Sequence, residues 1–151
     1  GNNRLIFSPD GKSLYTGQTA RGWQRSIAEG VQRITFTGEV PFAVQKMSLM
    51  KDGFNLTFTT PVDKGSFKKE VFSLQKYFYT SKYSYGSGQN GKKKLTVAKA
   101  VLSDDGLSAV IKFDGIEINR IVQLDIKGLK STDGKEIDQK THCYTINRLR
   151  K

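Results

Sequence analysis

Five Asp-Gly dipeptides punctuate this 151-residue chain, at Asp10-Gly11, Asp52-Gly53, Asp105-Gly106, Asp114-Gly115 and Asp133-Gly134. Each lies beside a short run in which apolar and polar residues alternate. That pairing is the strongest short-range signal for a β-hairpin that a sequence offers. The runs fall at residues 4–7 and 13–16, which flank the turn Ser8-Pro9-Asp10-Gly11, and then at 31–37, 43–50, 54–58, 95–102, 109–113, 121–126 and 141–146. Helical signals are few. Phe67, Val71 and Leu74 stand at helical spacing behind Ser66, a residue type that caps helices, which predicts one short helix or turn over 66–74. Residues 20–29 read as a loop, with a turn of helix near Ile27-Ala28-Glu29. Residues 86–91 read as a glycine-rich flexible loop.

Six to seven short strands after residue 43, with turns between them, predict an all-β fold. We read residues 41–151 as an immunoglobulin-like antiparallel β-sandwich, with strands from about Pro41 to Arg148. Residues 1–40 form a hairpin-and-loop extension, too little sequence to fold alone. The hydrophobic fraction of 36% is enough to build a core without disulfides. No apolar run is long enough to span a bilayer as a helix. The start, Gly1-Asn2-Asn3, carries no signal-peptide pattern, and its abruptness reads as that of a piece cut from a longer protein.

The chain has one cysteine and one histidine, Cys143 and His142. As strand neighbours they point to opposite faces, so they form neither a nucleophile–base pair nor a shared metal site. The expected arrangement is a buried Cys143 beside a solvent-facing His142. The aspartates lie mostly in Asp-Gly turns. Asp63 reads as a cap or turn residue ahead of Ser66, and Ser103-Asp104-Asp105-Gly106 as a hairpin turn too short to hold calcium. No catalytic set, metal site or cofactor is expected, and the chain reads as non-enzymatic.

The formal net charge is +11. Up to Gln75 there are 10 Lys/Arg against 6 Asp/Glu, and after it 15 against 8, so the excess is spread with a mild bias to the second half. Such a surface attracts polyanions, and it is equally a solubilising one. Lys92-Lys93-Lys94 and the segment 148–151 lack any accompanying nucleic-acid motif, and no nucleic-acid partner is expected. The tyrosine-rich stretch is the best candidate for a ligand surface. Tyr77, Tyr79, Tyr83 and Tyr85 lie among Lys76, Lys82 and the triple-lysine run. Tyr77 and Tyr79 would share one face of a strand, with Phe78 on the other. Such rings either pack across strands or, if exposed, present flat faces to sugars, and the sequence leaves both open. Trp23, the sole tryptophan, reads as an anchor that pins its loop down through its buried area.

The strings Phe7-Ser8-Pro9-Asp10-Gly11-Lys12-Ser13-Leu14-Tyr15, Gly17-Gln18-Thr19-Ala20-Arg21-Gly22-Trp23, Gly30-Val31-Gln32-Arg33-Ile34, Thr37-Gly38-Glu39-Val40-Pro41-Phe42 and the run from Phe54 to Asp63 together resemble the C-terminal region of exported bacterial glucose/sorbosone-dehydrogenase-like β-propeller proteins. Tyr83-Ser84-Tyr85-Gly86-Ser87 and Tyr144-Thr145-Ile146-Asn147-Arg148 are also similar. The resemblance implies that residues 1–40 are a propeller tail and that the sandwich is an accessory domain of a parent concerned with carbohydrate. It further implies that the parent is periplasmic or at the cell surface. It carries over no catalytic residue. The expectation is therefore a non-catalytic structural or interaction domain, partnered by the rest of its parent. The alternative is a carbohydrate-binding module using Tyr77, Tyr79, Tyr83 and Tyr85 on a polysaccharide. An unpaired strand edge in the N-terminal hairpin would also let two copies pair through residues 4–16.

Overall fold

The computed structural model describes residues 2–18, 30–81 and 86–150, and within them the chain is all-β. It divides into two compact units, Gly1–Glu39 and Val40–Lys151. The first is a three-stranded antiparallel sheet in the order β1-β2-β3, made of Asn2–Phe7, Ser13–Gln18 and Gly30–Thr35. The second is a sandwich of two four-stranded antiparallel sheets. One runs β4-β5-β9-β8, built from Val44–Met50, Gly53–Phe58, Ser108–Phe113 and Val97–Leu102. The other runs β11-β10-β6-β7, built from Thr141–Ile146, Arg120–Ile126, Phe72–Phe78 and Asn90–Leu95. Taken in chain order, the first, second, sixth and fifth strands of the sandwich form one sheet and the remaining four the other, the neighbour pattern of an immunoglobulin sandwich with one extra strand (β7) beside the third.

Alternation builds the core. In β5 the side chains of Phe54, Leu56 and Phe58 turn inward, and in β9 those of Ala109, Ile111 and Phe113. From the opposite sheet come Phe72 and Leu74 of β6 and Val122, Leu124 and Ile126 of β10. The rings of Phe54 and Tyr144, from opposite sheets, lie 5.4 Å apart, so the two layers interdigitate. Phe42 and Phe58, with ring centroids 5.9 Å apart, close one end where the chain enters the sandwich.

Three turns share one sequence pattern, Ser-x-Asp-Gly, and one geometry: Ser8–Gly11, Ser103–Gly106 and Ser131–Gly134. In each, the glycine N–H donates to the serine carbonyl, at 2.9, 3.0 and 2.9 Å. The serine hydroxyl donates to the aspartate carboxylate. The glycine φ is +69, +70 and +81°, a region where a side chain is strained. The serine hydroxyl also accepts the N–H that starts the next strand or bridge, at Ser13, Ser108 and Lys135. The pattern occurs both outside and inside the sandwich. The string around Ser8 is therefore a general hairpin device and does not identify a propeller blade.

Three expected elements fold differently: residues 66–74, 95–102 and the loop read over 86–91, whose last two residues begin β7. Residues 66–74 hold a single 3-10 turn, Lys69–Val71, with β6 beginning at Phe72. The spacing of Phe67, Val71 and Leu74 reflects inward positions on a turn and then a strand, and the expected cap Ser66 instead closes the preceding turn, its hydroxyl donating to the Asp63 carbonyl at 2.9 Å, while Lys68 stands at the N-cap without a side-chain bond. The run at 95–102 is two strands broken at Thr96, where the chain crosses from one sheet to the other.

Gly53 opens β5 directly against β9, and a Cβ there would fall on the carbonyl oxygen of Ile111. Gly134, at φ +81°, faces open space. Gly53→Ala should thus cost the upper end of the ~1–3 kcal/mol typical of overpacking, and Gly134→Ala only about 1 kcal/mol from backbone strain. Urea denaturation of the two variants reads this. Equal losses would contradict the close β5–β9 approach.

Candidate functional site

The surface that sequence reasoning singled out lies on β6 and its continuation. Inward from β6 point Phe72, Leu74 and Lys76. Outward point Ser73, Gln75 and Tyr77, in register with Asp125, Gln123 and Ile121 of β10. On β11, Thr141, Cys143 and Thr145 continue that outer face, and on β7 Lys94 stands opposite Gln75.

Tyr77 faces outward yet is 3% exposed. Its ring meets that of Tyr79 edge-on at 5.5 Å, and its hydroxyl lies 3.7 Å from the Cys143 sulfur. Burial, together with that sulfur contact, raises its hydroxyl pKa. Tyr77 is consequently a packing residue, the first of the two readings that the sequence left open. Tyr79 remains 52% exposed. Tyr83, Tyr85 and Trp23 lie outside the described residues. Phe78 carries the Arg120 guanidinium over its ring, 4.7 Å from the centroid, a cation–π contact.

Lys76 is the functional-looking residue that pattern reading missed. It occupies an inward position and is 6% exposed, and its ammonium donates to the Gly115 carbonyl at 2.9 Å and to Glu117 Oε1 at 2.7 Å. Arg120 Nε approaches the other Glu117 oxygen at 3.4 Å. Lys76, foremost, holds the Glu117 carboxyl below its usual range. A lysine replacing the apolar residue due after Phe72 and Leu74 is the signal that could have found it. Its stem fills the mouth of the core while its head reaches the one carboxylate there.

Cys143 and His142 do lie on opposite faces, since Cys143 pairs with Gln123 and His142 with Leu124. Which one is covered is the reverse of the expectation. Cys143 is exposed on the outer face. His142 is half-buried, with its Nε2 3.0 Å from the Gln139 carbonyl. A groove of ≈ 460 Å³ runs where β7 passes over to β8. Lys69, Lys94 and Asp125 stand at its rim, and Phe72, Leu74 and Leu95 form its floor. Its rim charges are of both signs, which gives no single preference for an ionic ligand. Among the described residues, no group of three His, Cys, Asp or Glu side chains could hold a metal ion. Among the described residues, no helix is long and apolar enough to cross a membrane.

The shifted carboxylates serve turns and ion pairs. The hydroxyls of Ser8, Ser103 and Ser131 lower the pKa values of Asp10, Asp105 and Asp133, and Lys112 lowers that of Asp52. Desolvation lowers that of His142, against the pull of the Gln139 carbonyl. A depressed carboxylate contributes stability above the ordinary value of 3.8 and loses it as pH falls through the folded-state value. The depressed His142 likewise contributes above 6.5 and loses it as the pH falls. Tyr77, shifted upward, contributes below 10.0 and loses it as the pH rises. The melting temperature should therefore hold a plateau between about pH 7 and pH 9.5, fall modestly below it and fall again at both extremes. A circular-dichroism melt series would reveal this. A maximum near pH 5 would contradict it.

No protein-family model matches the chain, and no curated protein matches it. Solved structures do. The S-layer protein rSbsC(31-844) aligns with a TM-score of 0.54 and 28% identity, covering 72% of this chain and 14% of that one. The N-terminal part of the bacterial S-layer protein SbsC aligns with a TM-score of 0.55 and 28% identity, covering 72% and 24%. Domains 1-6 of surface layer protein SbsC give 0.55 and 26%, covering 72% and 14%. The chain thus spans less than a quarter of the length of each structure it matches. These likenesses correct the resemblance to glucose/sorbosone-dehydrogenase-like propeller proteins, one of whose strings, around Ser8, is a hairpin pattern that recurs within the sandwich itself.

Proposed function

We propose that this chain is a non-catalytic structural module of a larger bacterial cell-surface protein. The observation that carries the reading is the alignment with S-layer protein structures at 28% identity over 72% of the chain. The fold supports it. The sandwich interior is filled by apolar side chains from both sheets, and the polar network is spent on turns and on one ion-paired mouth. Its edge strand β7 carries Lys92, Lys93 and Lys94, exposed charges that discourage further strands from adding there. These are the properties of a spacer or scaffold domain that works folded, beside other domains, without aggregating. The setting is the outer surface of the cell rather than the periplasm. The test is protease shaving of intact source cells, read with an antibody against this domain. Release of domain fragments from unbroken cells is expected, and recovery only after lysis would overturn the proposal.

A second reading, polysaccharide binding, draws on one observation: Tyr79 is half-exposed against Tyr77, on the outer face that also carries Gln75 and Lys94. Tyr79→Ala should then weaken retention on a cell-wall polysaccharide matrix by about tenfold at moderate salt, the worth of one stacked ring. Retention unchanged by that substitution would remove this reading and leave the structural one standing.

A further inference from the structure

The two sheets of the sandwich are joined between β9 and β10 by the segment 114–119, which crosses the mouth of the core. Backbone bonds hold it only at its ends. The Phe113 N–H donates to the Asp52 carbonyl at 3.1 Å, and the Asn119 N–H to the Ile146 carbonyl at 2.8 Å. Among the described residues, 114–118 make no bond of this kind. Ile116 is partly buried against the core, while Asp114, Gly115, Glu117 and Ile118 are exposed.

Lys76 grips the middle of the segment. Among the described residues it is the only charged side chain that is buried. Its ammonium donates to the Gly115 carbonyl at 2.9 Å and to Glu117 Oε1 at 2.7 Å, so one head group ties two residues of the segment to β6. Gly115 suits so close an approach. Its φ is +86°, and a Cβ there would stand 3.4 Å from Lys76 Nζ and 3.2 Å from Leu95 Cδ2. The charged groups that face Glu117 are Lys76 from β6, Lys93 from β7 and Arg120 at the start of β10, all of them cationic.

A buried ammonium needs partners. Neutralising Glu117 leaves Lys76 with the Gly115 carbonyl alone, and one neutral acceptor does not offset an ammonium's loss of water. The long stem lets the head swing out from the mouth into solvent. That swing removes the hold on Gly115, and the pull of Arg120 on Glu117 goes with the charge. The core lies elsewhere, in apolar side chains from both sheets that need neither group. We infer that Lys76 is an acid-releasable latch: it holds the 114–119 segment over the mouth of the core, and protonation of Glu117 frees that segment while the sandwich stays folded. The Glu117 carboxyl is held below its ordinary 4.5, so the latch is shut above that pH and opens as the pH falls through the lower folded-state value.

NMR on the isotope-labelled intact chain, from about pH 7 to about pH 2.5, tests this. The side-chain carboxyl carbon of Glu117 reports its protonation. Backbone order parameters of Ile116, Glu117 and Ile118 should start near the value of about 0.85 of rigid backbone and drop below about 0.6 along that same titration. Those of Leu56 and Leu124 should hold. Glu117→Ala, at an exposed position, should show the low values already at about pH 7 and lose the pH dependence. Lys76→Met keeps an unbranched apolar stem in the mouth and should do the same. Lys140→Gln, which breaks the exposed Lys140–Glu136 pair instead, should match the unaltered chain. Order parameters that stay constant across the Glu117 titration overturn the inference. So does a segment that remains ordered in Glu117→Ala or in folded Lys76→Met, or one released equally by Lys140→Gln. So does loss of order in segment and core at one pH, which is unfolding rather than release. The titration of the unaltered chain decides the matter even where Lys76→Met fails to fold.

Discussion

The contact between β5/β9 and β6/β10 is the constraint on which the sandwich depends. Phe54, Leu56, Ile111, Leu124 and Ile126 are completely covered and come from β5, β9 and β10, and Phe72 and Leu74 of β6, the fourth central strand, are nearly so. Each strand has only one inward face, so every second residue is committed to this layer. What remains outward is free to be polar, and it is: Asn55 and Thr57 on one side, Gln75 and Gln123 on the other. A one-residue slip in any central strand would exchange those two sets and bury amides without partners. The Ser-x-Asp-Gly turns and Gly53 hold the register against such slips. They fix where each strand begins, so the core dictates the face and the turns dictate the phase.

The same logic explains what could be read from sequence and what could not. The strands of β5, β9, β10 and β11 were legible because their alternation is clean and they carry turn residues at their ends. An antiparallel sandwich followed from their number and spacing, but not the order of strands within its sheets. β6 was harder. Its inward residues are Phe72, Leu74 and Lys76, and its outward ones include Tyr77, so a polarity count cannot tell which face is inside. Only the pairing with β10 resolves it. The placement of Cys143 and His142 failed for a related reason. Strand geometry fixes that they diverge, but β11 is an edge strand, where a half-buried histidine over the core rim costs little and a cysteine outside costs nothing. The propeller resemblance failed in part because hairpin turns such as Ser8–Gly11 obey local rules that unrelated folds share.

Charge is distributed to match these positions. The sandwich unit holds 20 Lys/Arg against 11 Asp/Glu. Three of its lysines line the free edge β7, while Lys112 pairs with Asp52 across the β4–β5 turn and Lys76 seals the far mouth with Glu117. Pairs as exposed as Lys112–Asp52 add little stability. Lys76–Glu117 differs because one partner is covered, so the ammonium's loss of water must be offset by both of its bonds. It stabilises the sandwich as part of a closed set with the Gly115 carbonyl and Arg120, and it does not substitute for the apolar core.

The two units solve the burial problem differently, and that contrast gives the chain its character. The sandwich is complete: two layers, each covering the apolar face of the other, with lysines on a free edge. The N-terminal sheet has the same alternation and the same turn chemistry, yet Leu5, Phe7, Ile34 and Phe36 are each more than half exposed. The closed sandwich draws its stability from within its own two layers.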